Sequence, residues 1–346
     1  MRMKYCIKCL QPNTRPGTIF TSQNLCPACN YSQTLDDVDF NERWQYLEEI
    51  KQFGFDNKRS QYDSIIGVSG GKDSTRQAIF VKEVLGMNPL LVSLSPSPEM
   101  LSQRGANNLA NLISADFDCI NILPAPETWR QLMRLSFFKY SNPFKSTELA
   151  LFSSVPKLAI MNRIPLIWWG ENSALQLGES TVMGKDGADG NNLRNMNTLS
   201  GGDILWMQEN GFDNKKLLQY RYPSEEEISK ANLRITFLGY FWKDWSLKNN
   251  AEYAMLRGLD IRGDKPWEMG EHVGVTALDE DWTPLNQMIK YLKFGFGRTT
   301  DYVNEDIRNG LLTRDEAIQL VEAFDGACST DYISSFCDYI SITVED

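Results

Sequence analysis

The chain has 346 residues, enough for a full α/β core plus one or two smaller units. Its 42% apolar and 23% charged content is ordinary for a soluble globular protein, whereas a net charge of −10 with a single histidine weighs against a broad nucleic-acid footprint. No apolar run approaches the ~20 residues of a membrane span. Met1 to Cys6 lack a signal-peptide core, so cytoplasmic residence with no membrane partner is expected.

In chain order, the first signal is Cys6-x-x-Cys9 and Cys26-x-x-Cys29, separated by sixteen residues. Each pair offers two thiolates on one side of a tight turn, and two such turns complete a tetrahedron around Zn²⁺. A segment of this size with few aliphatics needs metal to supply folding energy. Disulfides are the alternative, disfavoured in a cytosolic chain. Four thiolates leave no open position, so the zinc is expected to be structural. Cys119, Cys328 and Cys337 are scattered and read as inert thiols.

An amphipathic stretch over 40–53 then bridges to a segment that alternates strand and helix. Strands are expected at 63–68, 90–94, 117–122 and 165–169, with helices over 75–85, 99–114, 126–138 and 147–163. Ala106, Leu109, Ala110 and Ile113 mark one buried helix face, and Pro156 should kink or divide its helix. Such alternation predicts a doubly wound parallel α/β sheet with ligands at the carboxyl ends of its strands. The run 178–202, rich in glycine and asparagine, reads as a lid or substrate-binding loop. Beyond Asp203 the pattern is mostly helical, with capping boxes at Ser224/Glu227 and Thr313/Glu316. A helix over 286–294 breaks at Gly295. The domain reading is therefore 1–35 zinc-binding, 36–60 helical linker, 61–215 α/β and 216–346 mainly helical.

The most informative residues are Ser69-Gly70-Gly71-Lys72-Asp73-Ser74, between an apolar strand and a helix start. Two glycines let backbone N–H groups face an anion, the helix dipole backs them, and Lys72 adds a mobile charge. A Walker loop would need Gly where Ile66 stands and Ser or Thr where Asp73 stands, and the dinucleotide pattern fails too. The run resembles instead the PP-loop of ATP pyrophosphatases, which grips the pyrophosphate leaving when ATP adenylates an oxygen. Ser69, Gly70, Gly71 and Ser74 would then hold phosphate oxygens, Lys72 would neutralise departing charge, and Asp73 would help hold Mg²⁺ or cap the helix. Gly170-Glu171-Asn172 follows a strand and should face the same crevice. Glu171 and Asn172 are placed to bind an amide or take a proton during attack. Trp168 and Trp169 should pack under the sheet. His272 reads as structural, and without a Cys–His pair or Cys at position 2 the chain is not itself a glutaminase.

The combination resembles the N-acetyl sugar amidotransferase family of bacterial O-antigen, lipopolysaccharide and flagellin-sugar pathways. Its marks here are Cys6/Cys9/Cys26/Cys29, Val68 to Ser74, Gly170-Glu171-Asn172, the run Lys293 to Asp301 and the run Asn304 to Arg308. The resemblance covers nearly the whole chain and implies a PP-loop, HUP-like fold. It implies that ATP adenylates the oxygen of a sugar acetamido group, and that ammonia from a separate glutaminase subunit then yields an acetamidino group, AMP and pyrophosphate. The substrate would be a nonulosonic acid or a nucleotide-linked N-acetyl sugar, and Asn142 to Glu148 are closer to the pseudaminic acid branch. Lys145 and Arg194 would meet the sugar's anionic group. Two rivals use the same motifs: a tRNA thiolase or lysidine-type enzyme, and a non-catalytic zinc-ribbon interaction protein.

Overall fold

A computed structural model describes residues 3–176, 178, 188–196 and 199–345. Helices α1 (Pro27–Thr34) and α2 (Phe40–Asn57) precede β1 (Ser64–Gly67) and α3 (Lys72–Ile79), which continues as a π-helical turn over Phe80–Val84. Then follow β2 (Pro89–Leu94), α4 (Gln103–Ile113), β3 (Cys119–Ile122), α5 (Pro126–Tyr140), α6 (Lys145–Asn162) and β4 (Leu166–Trp169). Short helices α7 (Ser173–Gln176), α8 (Leu205–Gln208) and α9 (Glu225–Lys230) lead to β5 (Arg234–Phe237). The remainder is helical: α10 (Leu247–Met255), α11 (Pro266–Met269), α12 (Thr283–Phe294), α13 (Arg298–Arg308), α14 (Arg314–Phe324) and α15 (Thr330–Ile340).

The five strands form one sheet in the order β3-β2-β1-β4-β5, every pair parallel. Chain order reverses between β1 and β4, which makes the carboxyl ends of these two strands the switch point where such sheets bind ligands. Both sheet faces are covered, as parallel sheets require. Ile65, Val92, Ile167 and Trp169 face α5 and α6, while Ile66, Leu91, Leu166 and Trp168 face α2, α3 and α4. The adjacent tryptophans thus fill opposite cores, each buried.

Three features differ from the sequence pattern. The sheet takes its fifth strand from 234–237, inside the stretch read as helical, because four residues are too few to set a period against their helical surroundings. In α4 the buried face is Gly105, Asn108 and Leu112 rather than Ala106 and Ala110. Asn108 turns inward because its amide exchanges hydrogen bonds with the Asp260 backbone, at 2.8 and 2.7 Å. Helix α6 runs undivided through Pro156, and the Ser154 hydroxyl donates to the Ala150 carbonyl one turn earlier.

Of the expected lid over 178–202, residues 179–187, 197 and 198 lie outside the described residues. The returning stretch is docked on β5: Asp189 bridges Thr236 antiparallel, and Gly190 N donates to the Ile235 carbonyl at 2.8 Å. The capping boxes at Ser224/Glu227 and Thr313/Glu316 form, and α12 ends at Gly295 with φ of 76°.

Candidate functional site

The turn after β1 is built for close approach. Gly70 has φ of +80°, and a Cβ there would lie 2.5 Å from the Leu109 nitrogen of α4. Only glycine meets both constraints. Gly71 is the N-cap of α3 and offers no side chain, so the first N–H groups of the helix face outward from the turn. Ser69 and Ser74 flank it, their hydroxyls bonded to Gly71 N at 3.4 Å and Gly71 O at 3.1 Å. Outward N–H groups at a bare helix start are a general anion-binding geometry.

Lys72 is buried at 7% exposure, its Nζ 2.6 Å from Asp73 Oδ2. Asp73 Oδ1 accepts from the Asn250 amide at 2.7 Å, and Asn250 Oδ1 accepts from Arg76, which also pairs with Asp244. Helix α10 therefore fixes the carboxylate beside the loop. Asn250 escaped the sequence reading because no local pattern links it to the loop. The connection after β5 brings it there.

Glu171 ends the β4 turn at the same switch point. Its Oε2 is buried with no hydrogen-bond partner among the described residues. Burial, reinforced by the Asp73 charge, pushes its carboxyl up to about 7, with Lys72 opposing. A carboxyl poised there passes protons near neutral pH. Asn172 is turned away: its Nδ2 donates to the Gly239 carbonyl at 3.2 Å and its Oδ1 caps α7 through Leu175 N at 3.1 Å. It shapes the turn that presents Glu171. The Trp245 indole N–H braces the same turn at Gly170 O, 2.7 Å.

Lys145 opens α6 with its ammonium 5.1 Å from the Tyr140 ring, and burial lowers it below the ordinary lysine range. Arg194 is 3.5 Å from Glu225 and donates to the carbonyls of Gly201 and Pro223. That places it by β5 and α9 rather than at the loop.

The four knuckle cysteines are buried, free of disulfides, and their sulfurs lie within 4.8 Å of one another. Cys9 and Cys26 are 3.7 Å apart at sulfur, matching the ~3.8 Å expected for a tetrahedron with ~2.3 Å zinc–sulfur bonds. Backbone N–H groups of Gln11, Cys26 and Cys29 donate to Cys9, Cys6 and Cys26 sulfurs, the support thiolates need. The cluster fits a metal, with every position filled by sulfur.

The knuckle is fastened to the site from two sides. Its α1 abuts Gly178, just past α7, where a Cβ would lie 2.7 Å from Pro27. Asn304 of α13 accepts from Leu10 N at 2.7 Å, Arg15 pairs with Asp301, and Arg15 stacks on Phe296 at 4.5 Å. Glu305, next on α13, is buried and pairs with Leu247 N at the start of α10. Burial raises its carboxyl, and it feels Lys72 and Asp73. The signal for Glu305 was present in the run Asn304 to Arg308, but its role was not. His272 is half-buried against Tyr302, and Cys328 is pushed up to about 12 by burial, in keeping with structural roles.

Strand order, the left-handed Gly70 and the bare helix start define a doubly wound α/β protein with a glycine turn at its switch point and a cluster of four cysteines that fits a metal. Residues 273–346 match the family model of the LPS biosynthesis protein WbpG-like C-terminal domain, which takes in α12 to α15. No curated protein matches the chain. Among solved structures it is similar to NMN synthetase from Francisella tularensis, at 13% identity over 85% of this chain and 95% of that one, TM-score 0.32. It is also similar to the NH3-dependent NAD synthetase from Campylobacter jejuni, at 13% identity over 66% and 100%, TM-score 0.31. A third is the U34-tRNA thiolase NcsA from Methanococcus maripaludis, at 13% identity over 74% and 81%, TM-score 0.28.

Proposed function

We propose that the chain is the synthetase subunit of an ATP-dependent amidotransferase that turns a sugar acetamido group into an acetamidino group in bacterial surface-polysaccharide or flagellin-glycan synthesis. The observation that carries this is the β1 turn: a left-handed Gly70, a side-chain-free cap at Gly71 and a buried Lys72, set at the switch point opposite Glu171. The match of residues 273–346 supports the carbohydrate setting.

In this reading the turn holds the β- and γ-phosphates of ATP, and the amide oxygen of the sugar attacks the α-phosphorus. The bond to pyrophosphate breaks, and Lys72 follows the charge that leaves. Asp73, steadied by Asn250, is the carboxylate available for Mg²⁺ on those phosphates. Ammonia then adds to the imidate carbon, Glu171 takes its surplus proton, and the carbon–oxygen bond to AMP breaks. Ammonia comes from a separate glutaminase. The knuckle holds zinc as a clamp on the segments that carry Glu171 and Glu305. A thiolase would need sulfur beside the turn, and Cys119 lies on β3, two strands from β1. The test is incubation with ATP, Mg²⁺, ammonium and N-acetylated sugars, followed by mass spectrometry for exchange of oxygen by NH and by assay of AMP and pyrophosphate.

A further inference from the structure

A concavity of about 240 Å³ opens on the amino edge of the sheet, at the far end of β4 from Glu171. Three helices end around it. The α2 end meets the α6 end where Arg59 N donates to the Arg163 carbonyl at 3.3 Å. It meets the α9 end where the Asn232 side-chain amide donates to Asn57 Oδ1 at 3.2 Å. Ile160, Ile164 and Pro165 give it apolar walls, and Pro165 leads into β4. At ~3.3 Å per residue, that four-residue strand holds the cavity ~13 Å from the Gly170–Glu171 turn.

Its charge is one-sided. Arg59, Arg163 and Lys230 stand around it, Asn57 and Asn232 add amides, and no carboxylate lines it, although the chain carries a net charge of −10. A cleft of one sign with apolar walls focuses its field on a counter-ion. Neither guanidinium has a hydrogen bond or an ion pair among the described residues. Of the acids nearest in the chain, Asp56 accepts from the Gln52 amide at 2.7 Å, and Glu226 meets Lys230 alone, at 2.6 Å. That pair is exposed on both sides and weak, so Lys230 can exchange it for a stronger anion. The helix ends do not use these cations either. Ile164 N returns to the Ala159 carbonyl at 2.9 Å and Leu233 N to the Ile228 carbonyl at 3.1 Å, so α6 and α9 are closed by their own backbone. Arg163 itself takes the left-handed position of the α6 cap, with φ of 55°, where glycine would be unstrained. An arginine kept there at steric cost, its charge unmet by any described residue, is what an anion site requires.

We propose that this cavity binds a diphosphate, with the forked Arg59 and Arg163 on its phosphate oxygens and Lys230 as the third cation. The volume is below the ~300 Å³ at which small-molecule pockets begin, which suits that group rather than a whole nucleotide. The site is separate from the Gly70–Gly71 turn, so its occupant binds beside ATP and does not displace it. It is independent of the amidotransferase reading.

The test is calorimetric titration of the full chain with inorganic pyrophosphate and, in a second arm, with ADP. The background is Lys72→Ala, which weakens the turn, with and without Arg163→Gly or Arg59→Gln. Glycine suits the left-handed backbone at 163, so Arg163→Gly should unfold no lower than its parent, which removes misfolding as an explanation. Pyrophosphate should bind the Lys72→Ala protein, less tightly as salt is raised, and either added substitution should weaken it roughly 10-fold by removing one charged fork. An Arg163→Gly effect on pyrophosphate alone marks a free diphosphate, and an effect on ADP as well marks one borne by a nucleotide. No binding of pyrophosphate to the Lys72→Ala protein, or equal affinity with and without Arg163 and Arg59, would overturn the site.

Discussion

The side-chain oxygen of Asn304 accepts the backbone N–H of Leu10 at 2.7 Å, tying α13 to the cysteine knuckle nearly three hundred residues away in sequence. Successive helical residues point ~100° apart, and the next residue, Glu305, turns to the start of α10 beside Lys72 and Asp73. One helix thus spans from the cysteine knuckle to the Gly70–Gly71 turn. Asn304→Ala leaves a buried N–H unpaired at a cost of about 1–3 kcal/mol. The variant should surrender zinc to a chelator several-fold faster than wild type, read by a colorimetric zinc dye. Unchanged release would show that α13 does not support the knuckle.

Cys26→Ser removes one thiolate and the sulfur that accepts from Cys29 N at the head of α1. Zinc content and solubility should fall. AMP formation should fall with them, because α1 abuts the segment beyond Glu171. Metal analysis beside an activity assay checks both, and full activity without zinc would dismiss the clamp.

Gly70→Ala combines a left-handed backbone, costing about 1–2 kcal/mol, with a Cβ 2.5 Å from Leu109 N. Thermal unfolding should shift downward by several degrees, and AMP formation should be lost. By contrast, Gly71→Ala adds a Cβ whose nearest contact is the Ser69 hydroxyl at 3.3 Å, so it should unfold close to wild type.

The Glu171 carboxyl has an ordinary value of 4.5 and stands at about 7 when folded. Between those values the folded chain holds a proton that the unfolded chain has released. Stability therefore declines as pH climbs through this window and levels off above about 7. Glu171→Gln should match wild type in thermal midpoint at pH 4 and exceed it at pH 8. Glu280 titrates in the same window, so the variant-minus-wild-type difference is the quantity to read. The acid limb of turnover with ammonia, centred near 7 in wild type, should vanish in the variant. A retained limb would assign the proton to another group.

What was legible in the sequence was local chemistry. The Cys-x-x-Cys pairs, the Gly70-Gly71 turn and Glu171 each announce themselves within a few residues, and strands β1 to β4 follow from short apolar runs between helices. What was hidden depends on distant partners. Strand β5 has four residues and is recognised only by pairing with β4. The inward turn of Asn108 follows from the Asp260 backbone, which no helical period encodes. Lys145 and Arg194 were chosen for charge alone, yet Arg194 spends its charge on Glu225.

The most direct test of the central claim is Lys72→Ala assayed for nucleotide products with ammonium and an accepted N-acetyl sugar. Wild type should release AMP and pyrophosphate in equal amounts, and the variant should fold, bind zinc and release neither. Release of ADP and phosphate by wild type, or full turnover by the variant, would contradict cleavage of ATP at the Gly70–Lys72 turn.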